Sequence, residues 1–507
     1  MAQRKEYDLI VVGAGTGGLI AAARIAEKGV HPKTGDRLRI ALIEAGPHLL
    51  TGERRAGFGH PNNRKLIPQI VWEEFEMLDS FSWRYGPKVV GGSSVWWGSR
   101  SVLPIEQDYE NWRADMGVDW TRENMQEALE DVVKMYHFEA PPDETLSEGD
   151  LAFRAVARSS GYDAQNMPTA RKNCIYCGFI GSGHGCKYDA KGSSLWYLPI
   201  AESCGVELID RAEVDRVIIE KRGAGGVVKG VYYERDGERY EARASRVIVS
   251  CGNWGSPVLL ARSGYGPRDE LGQQLIVEND NIGKNLDGDT SYRIRLLFDE
   301  PIKEAGRGTS GSVYFMDNDP QYSDGSGALK IWSTDLAKVT YPDQAALSEF
   351  APAFGKKHMD FMRDAITRLG TIAVSVNRPP TRIKGTVNLQ TGSSTYLGDP
   401  YIDKRMQEGR EIAYELARKM GGNRISERFP ATFRGRGGGH SSGTCRAGSD
   451  RRRSVINSHF ESHDVEGLFV VDASSLPRAC VYSGFYAAFM GAYGARRIVD
   501  SHFSRGA

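Results

Sequence analysis

The chain has 507 residues, more than one hydrophobic core usually serves, which predicts two domains or one large discontinuous one. Lys plus Arg and Asp plus Glu number 65 each, so no global field recruits nucleic acid or an anionic membrane surface. The 40% hydrophobic fraction is ordinary for a soluble globular protein, and no apolar run approaches the ~20 residues of a spanning helix. Met1 to Glu6 run straight into a strand and leave no room for a secretory apolar region, and seven cysteines, an odd number, argue against a disulfide framework. The expected compartment is reducing, with cytoplasm as the default.

The first informative stretch is Tyr7-Asp8-Leu9-Ile10-Val11-Val12, a short apolar run that reads as a fully buried parallel strand. Gly13-Ala14-Gly15-Thr16-Gly17-Gly18 follows directly, then an Ala-rich helical segment from Leu19 to Glu27. Between strand and helix, Gly13 allows the tight turn, Gly15 lets backbone approach a pyrophosphate, and Gly18 lets helix pack close to strand. Thr16 then opens a helix whose N-terminus faces the phosphate charge. A second strand, Arg39 to Ile43, ends at Glu44-Ala45, where the Glu44 carboxylate is placed for the hydroxyls of an adenosine ribose. The polar segment His31 to Arg37, read as an inserted loop, explains why this interval exceeds the usual ~20 residues.

Val89-Val90-Gly91-Gly92-Ser93-Ser94-Val95-Trp96-Trp97-Gly98 is a second glycine-rich loop. Asp108 to His137 reads as helical, with Trp112 and Trp120 as core packing. Cys174, Cys177, His184 and Cys186 lie close together, but no second Cys-x-x-Cys or His pair completes a zinc pattern; no metal is expected, and a loop covering the cofactor edge is the favoured reading. Val206 to Ile209 and Ala212 to Val217 read as a strand pair, and Val247-Ile248-Val249 leads through Ser250-Cys251-Gly252 into an apolar run ending at Gly264. Tyr292 to Phe298, Thr371 to Val376 and Gly385 to Leu389 are candidate strands, and Arg405 to Met420 reads as a helix closed by Gly421-Gly422. Gly437-Gly438-Gly439-His440 presents a histidine in a glycine-rich loop, flanked by Arg434 and Arg436 before it and by a surface triplet, Arg451 to Arg453, after it. Gly467 to Val471 is an apolar strand ending at Asp472-Ala473-Ser474. The chain has no internal repeat and no low-complexity linker.

The loop at Val89 to Gly98, the segment Val247 to Gly264 and the block from His440 to Ala495 resemble, in order, three conserved regions of the glucose–methanol–choline oxidoreductases, flavoenzymes that oxidise alcohols. The resemblance brackets almost the whole chain. It implies an α/β protein with a Rossmann-like FAD-binding domain assembled from residues 1–105, 165–290 and 430–507. An α+β substrate domain, 106–164 and 291–429, would carry a large antiparallel sheet backed by helices. By the same resemblance Gly91, Gly92, Ser93 and Trp97 lie along the flavin, Val214 meets the adenine through its backbone, and Cys251 and Gly252 belong to the second conserved region. Asp472 and Ala473 close on the pyrophosphate and ribityl chain. Gly484 and Phe485 open a helix directed at the flavin edge, where negative charge grows on reduction. Covalent attachment in the family commonly uses a histidine in the first loop, where this chain has Val95-Trp96-Trp97, so non-covalent FAD is expected.

Alcohol oxidation by a flavin needs a base within ~3 Å of the hydroxyl, and imidazole suits the task. His440 is that base by resemblance. The family's second His or Asn falls at Tyr482-Ser483-Gly484, most nearly at Ser483, a departure that leaves a hydroxyl in place of an imidazole. The cysteine segment is similar to that of a branch that includes gluconate and fructose dehydrogenases and long-chain alcohol oxidases, some of whose sugar dehydrogenases carry an iron–sulfur centre. The expected reaction is FAD-dependent oxidation of an alcohol to a carbonyl compound, with a sugar, polyol or glycoside as first substrate class and an aromatic or aliphatic alcohol second. A flavin-retaining lyase and the catalytic subunit of an electron-transfer dehydrogenase with a small partner subunit stay open. So do the electron acceptor (oxygen, quinone or protein) and a homo-oligomer.

Overall fold

The computed structural model describes residues 4–49, 88–95, 97–176, 186, 188–301, 313–334, 354–365, 368–377, 385–395, 399–425, 440–482 and 484–505. Expectations for Trp96, Cys177, His184, Arg434, Arg436, Gly437 to Gly439 and Ser483 lie outside the described residues.

Four apolar runs, Leu9–Val12, Ile40–Ile43, Val247–Val249 and Leu468–Val470, are buried at every position. With Glu207–Ile209 they form a parallel sheet in the order Leu468–Val470, Val247–Val249, Leu9–Val12, Ile40–Ile43, Glu207–Ile209. Such a sheet is stable only when covered, and helices Thr16–Lys28 and Tyr486–His502 pack over it and against each other. The helices meet closely: a Cβ on Gly491 would lie 2.6 Å from the Gly17 carbonyl oxygen. From Leu9–Val12 the chain moves to Ile40–Ile43 on one side, while Val247–Val249 occupies the other. This reversal of strand order opens a crevice at the carboxyl ends of the strands.

Ala212–Arg222, Gly225–Arg235 and Glu238–Arg243 make an antiparallel meander, flanked by the short parallel strands Arg4–Glu6 and Val465–Glu466. A third sheet of six strands runs Gly422–Ile425, Thr290–Phe298, Leu369–Val376, Leu329–Thr334, Val313–Asp317, Gln165–Asn166, with antiparallel pairing throughout. Its period-2 alternation separates two roles. Leu329, Ile331, Ile372 and Val374 join a core with Ile402 and Leu416 of helix Pro400–Lys419 and Phe153 of helix Glu148–Ser159. Trp332 and Ala373 pack on the opposite side against Val481 and Tyr482, and Lys330 donates from there to the Tyr482 carbonyl at 2.8 Å.

Three details differ from expectation. Asp108 to His137 is two helices, Glu106–Met116 and Arg122–Tyr136, because Gly117 adopts a left-handed φ of 65° between them. Both helices bury their apolar faces, Trp112 among them, in the core of the parallel sheet, as does Trp120 from the connection between them; within 106–164, helix Glu148–Ser159 is the one that joins the antiparallel sheet. Helix Pro400–Lys419 starts earlier than expected, because Asp399 accepts the Tyr401 amide at 2.9 Å and Pro400 is tolerated in a first turn. Strands Val313–Asp317 and Leu329–Thr334 were not apparent from sequence; in the second, charged Lys330 interrupts the apolar pattern. Among the described residues no helix is long and apolar enough to cross a membrane.

Candidate active site

The three glycines of the first turn do different things. Gly13 has φ +97°, and a Cβ there would lie 2.4 Å from the Ser250 carbonyl oxygen; a Cβ on Gly18 would lie 2.0 Å from the Gly13 oxygen. Both serve close backbone packing. A Cβ on Gly15 would meet no atom within 4 Å, and Gly15 borders a cavity of about 720 Å³.

That cavity gathers the carboxyl ends of four parallel strands: Gly13, then Glu44 and Ala45, then Ser250 to Gly252, then Asp472 and Ala473 all line it. Three helices present first-turn residues to it, Thr16, Gly252 and Tyr486, so three positive dipole ends converge on one space. Val214 lines it from the meander, and Gly92 and Ser93 from the second glycine loop. Gly92, at φ +52°, sits so close that a Cβ would lie 2.7 Å from Gly15 Cα.

The two acidic residues brace the walls from inside. Glu44 accepts the Ala14 amide at 2.8 Å and the Gly46 amide at 2.9 Å; burial pushes its carboxyl up to about 7 against the pull of those hydrogen bonds. Asp472 accepts the Gly252 amide at 2.8 Å, the Ser256 hydroxyl at 2.6 Å and the Ser474 amide at 2.7 Å. Burial also raises Asp472, and raises the Cys251 thiol beside it. Both Asp472 oxygens are thereby filled, Oδ1 by the Ser474 amide and hydroxyl and Oδ2 by the Gly252 amide and the Ser256 hydroxyl, whereas Glu44 keeps a lone pair for a ligand hydroxyl.

Four expected contact residues do not border the cavity. Gly18 and Gly91 are packed inside the turns, where a Cβ on Gly91 would lie 2.7 Å from Val95. Trp97 and Phe485 stack on each other, with ring centroids 4.4 Å apart and planes 10° apart, and Trp97 donates to the Gly192 carbonyl at 2.8 Å. Phe138 and Tyr136 complete this aromatic cluster, so the two rings are core, and only the backbone neighbours of Phe485, Gly484 and Tyr486, reach the cavity. Asn253, Trp254, Arg262, Tyr292 and Arg293 line it without having been apparent from sequence. Asn253, Trp254 and Arg262 sat inside a quoted motif, but nothing in their spacing marked them.

His440 lies at one end of this cavity. It also borders a niche of about 10 Å³, room for a single water-sized group, lined by Asp289, Lys330, Ser375, Asn377, Tyr482 and Tyr486 among others. Gly484 packs under the imidazole, where a Cβ would come within 2.5 Å of Nε2. On the other side of the ring, Nδ1 is 3.1 Å from Asp289 Oδ2. Burial pushes the Asp289 carboxyl up, but the charge and hydrogen bond of His440 outweigh this and hold it below its ordinary value. A carboxylate accepting from Nδ1–H leaves the Nε2 lone pair free to take a proton. Asp289 was not singled out by sequence, since it belongs to no motif of its own. Lys330 is buried, which lowers its ammonium pKa, while Asp289 pulls it the other way.

The cradle at Gly15, the three helix N-termini and the volume fit a bound dinucleotide such as FAD. Among the described residues no group of three or more His, Cys, Asp or Glu is placed to hold a metal ion. Two comparisons with known proteins agree with this geometry. The chain is 24% identical to the long-chain-alcohol oxidase FAO3 of Arabidopsis thaliana over 94% of this chain and 66% of that protein, and 23% identical to a glucose dehydrogenase [FAD, quinone] of Drosophila pseudoobscura pseudoobscura over 93% and 83%. Among solved structures it superposes on formate oxidase with a TM-score of 0.70 at 16% identity, and on pyridoxine 4-oxidase from Mesorbium loti with 0.69 at 17%, covering 98–99% of this chain and 99% of each. Family models described as GMC oxidoreductase match residues 7–289 and 356–494, which together with the site above shows that this chain belongs to the GMC oxidoreductases.

Proposed function

We propose that the protein oxidises the CH–OH group of a small polar alcohol, with non-covalent FAD in the large cavity and His440 as the base. The observation that carries this reading is the position of His440, which borders both the large cavity and the water-sized polar niche. Bound there, FAD supplies the two-electron acceptor for the carbon-bound hydrogen. Gly15, Glu44, Val214 and Asp472 would hold its phosphate, ribose and adenine portions, and Ser93, Gly92 and Gly484 would border the flavin.

The chain's own part is proton handling and orientation. Asp289 holds the imidazole through Nδ1, and Nε2 takes the hydroxyl proton as the carbon–hydrogen bond breaks. Among the described residues Asp289 Oδ1 is buried without a hydrogen-bond partner, and Asp289 lines the niche. Ser375 and Asn377 supply further hydrogen-bonding groups on the niche wall, and the buried ammonium of Lys330 adds positive charge there. Such a lining supports a hydroxylated substrate, a sugar or polyol, over a purely aliphatic alcohol, although relatives include both a long-chain-alcohol oxidase and a glucose dehydrogenase. The niche takes only the hydroxyl-bearing end. Non-covalent binding is supported by the absence of histidine from Val89 to Gly98.

Anaerobic mixing with sugars, polyols and aryl alcohols tests the proposal. A polyol or sugar should bleach the flavin in single turnover, faster than an aliphatic alcohol of equal length. Substrate turnover with no bleaching would sink the redox reading in favour of a lyase.

A further inference from the structure

The turn Gly92–Val95 stands between two cavities. Gly92 and Ser93 line the large one, and Ser94 and Val95 line a second of about 500 Å³. The second cavity has a cationic wall of Lys134, Lys172 and Lys191 with His137 beside them, and Asp189 is its only lining carboxylate among the described residues. Its other lining includes Met135, Leu195 and Trp196, an apolar surface with one aromatic face.

Beneath the cationic wall lies an arrangement that protein interiors normally avoid. Arg171 and Lys191 are direct cross-strand partners in an antiparallel bridge, and their exposures are only 4% and 7%. Like charges set opposite one another repel, and a buried charge without a partner is strongly unfavourable. Among the described residues none of the three guanidinium nitrogens of Arg171, and not the Lys191 ammonium, has an oxygen or nitrogen acceptor within hydrogen-bond reach, and the Cys174 thiol is the one side-chain hydrogen-bonding contact of Arg171. Burial lowers both, Lys191 to about 7, and the Arg171 charge pushes Lys191 in the same direction as burial. The ionisable groups that act on Arg171 are the Cys174 and Cys186 thiols and the Tyr176 hydroxyl, and neutral thiols are weak acceptors. Two buried cations on one side and an apolar pocket on the other define the complement: an oxyanion on an apolar body.

We propose that this second cavity is a binding site for a small organic acid, a carboxylate or phosphate carried on an apolar ring, whose charge sits against Lys191 with Arg171 behind it. The volume suits a bicyclic ligand. The ligand contacts Ser94, whose hydroxyl donates to the Gly91 carbonyl at 2.6 Å and meets the Ser194 hydroxyl at 2.9 Å, so occupancy bears directly on the loop that borders the large cavity. This site is independent of the reaction proposed above.

The test uses the FAD-loaded enzyme with 2-naphthoate, 2-naphthyl phosphate and the neutral 2-naphthamide, read by calorimetry and thermal melting. At least one of the acids should bind about tenfold or more tighter than the amide and raise the melting temperature, without displacing FAD. The tighter acid identifies the oxyanion as carboxylate or phosphate. Lys191→Met should melt higher than wild type without ligand, because an unpaired buried charge is gone, and should lose about tenfold or more in acid affinity. Lys172→Met, at an exposed position on the same wall, should weaken the acid without changing the ligand-free melting temperature. Acids that bind no better than the amide, or equally well to both variants, would overturn the proposal. So would stoichiometric iron and acid-labile sulfide in the purified protein, since thiolates of Cys174 and Cys186 would then supply the counter-charge.

Discussion

Asp289 and His440, 151 residues apart in the chain, face each other because their neighbours Gly288 and Ser441 are paired in a short antiparallel ladder. The ladder, Asp287–Gly288 against Ser441–Ser442, extends by one register step to bring Asp289 opposite His440. Backbone contact is close enough that a Cβ on Gly288 would lie 2.8 Å from the His440 carbonyl oxygen. The imidazole is thus gripped by a carboxylate at Nδ1, by the ladder at its backbone, and by Gly484 under the ring. A base held this way loses little freedom when a substrate arrives, which is what positioned proton transfer requires.

The glycines of the first turn separate cofactor binding from folding. Gly15→Val places its side chain in the empty cavity and not against protein, so the cofactor-free variant should melt within about 1 kcal/mol of wild type while losing FAD. Gly18→Val drives its side chain into the Gly13 carbonyl and should fail to fold or melt far earlier. The ratio of flavin to protein absorbance, set beside the apoprotein melting curve, checks both. Normal FAD content in Gly15→Val would show that the phosphates lie elsewhere.

How much of this could be read from sequence follows from what each feature depends on. The strand–turn–helix at Leu9 to Lys28 is local, so its glycines and buried run were legible, as were the strands ending at Glu44 and Asp472. The Trp97–Phe485 stack was not, because it joins a loop and a helix start nearly four hundred positions apart, and a motif match places a residue near a cofactor without saying which way its ring turns. Asp289 was invisible for the same reason: its role comes from a ladder partner. Lys330 even obscured its own strand, since a charge in an apolar run argues against burial until the other side of the sheet is known to be a polar niche.

Glu44 gives the fold a pH dependence whose sign can be worked out. Burial raises its carboxyl to about 7 in the folded protein, whereas an unfolded chain holds an ordinary value of ~4.3. The folded state therefore keeps a proton that the unfolded state has lost, and the Glu44 contribution to stability falls as pH rises through the window from ~4.3 to about 7, then levels off. In cofactor-free protein, Glu44→Gln should flatten this part of the melting-temperature profile, whatever its effect on absolute stability through the Ala14 and Gly46 amides. Parallel profiles for the two proteins would mean the folded carboxyl ionises at its ordinary pH.

The second glycine-rich loop offers no imidazole to tether the flavin, since residues 89–98 contain no histidine. Acid precipitation should therefore release the yellow colour into the supernatant. Colour retained in the pellet after denaturation would require a covalent bond to some other side chain.

The dyad makes the sharpest prediction, because a residue that acts through another leaves a distinctive pattern of rates. His440→Ala removes the base, so flavin reduction by substrate should slow by roughly 10²–10⁴, the usual worth of positioned acid–base catalysis. FAD content and the oxidised spectrum should be unchanged. Asp289→Ala removes a charged hydrogen bond of roughly 1.5–3 kcal/mol, a slowing of about 10–10². Ser483→Ala, which takes away one neutral hydroxyl, should lose closer to tenfold at most. The decisive variant is the double one. If Asp289 works by holding His440, removing it from a protein that already lacks the imidazole changes little, and His440→Ala with Asp289→Ala should be about as slow as His440→Ala alone. Losses that multiply in the double variant would show that Asp289 Oδ1 contacts the substrate itself, and its part in the reaction would then be binding rather than orientation of the base.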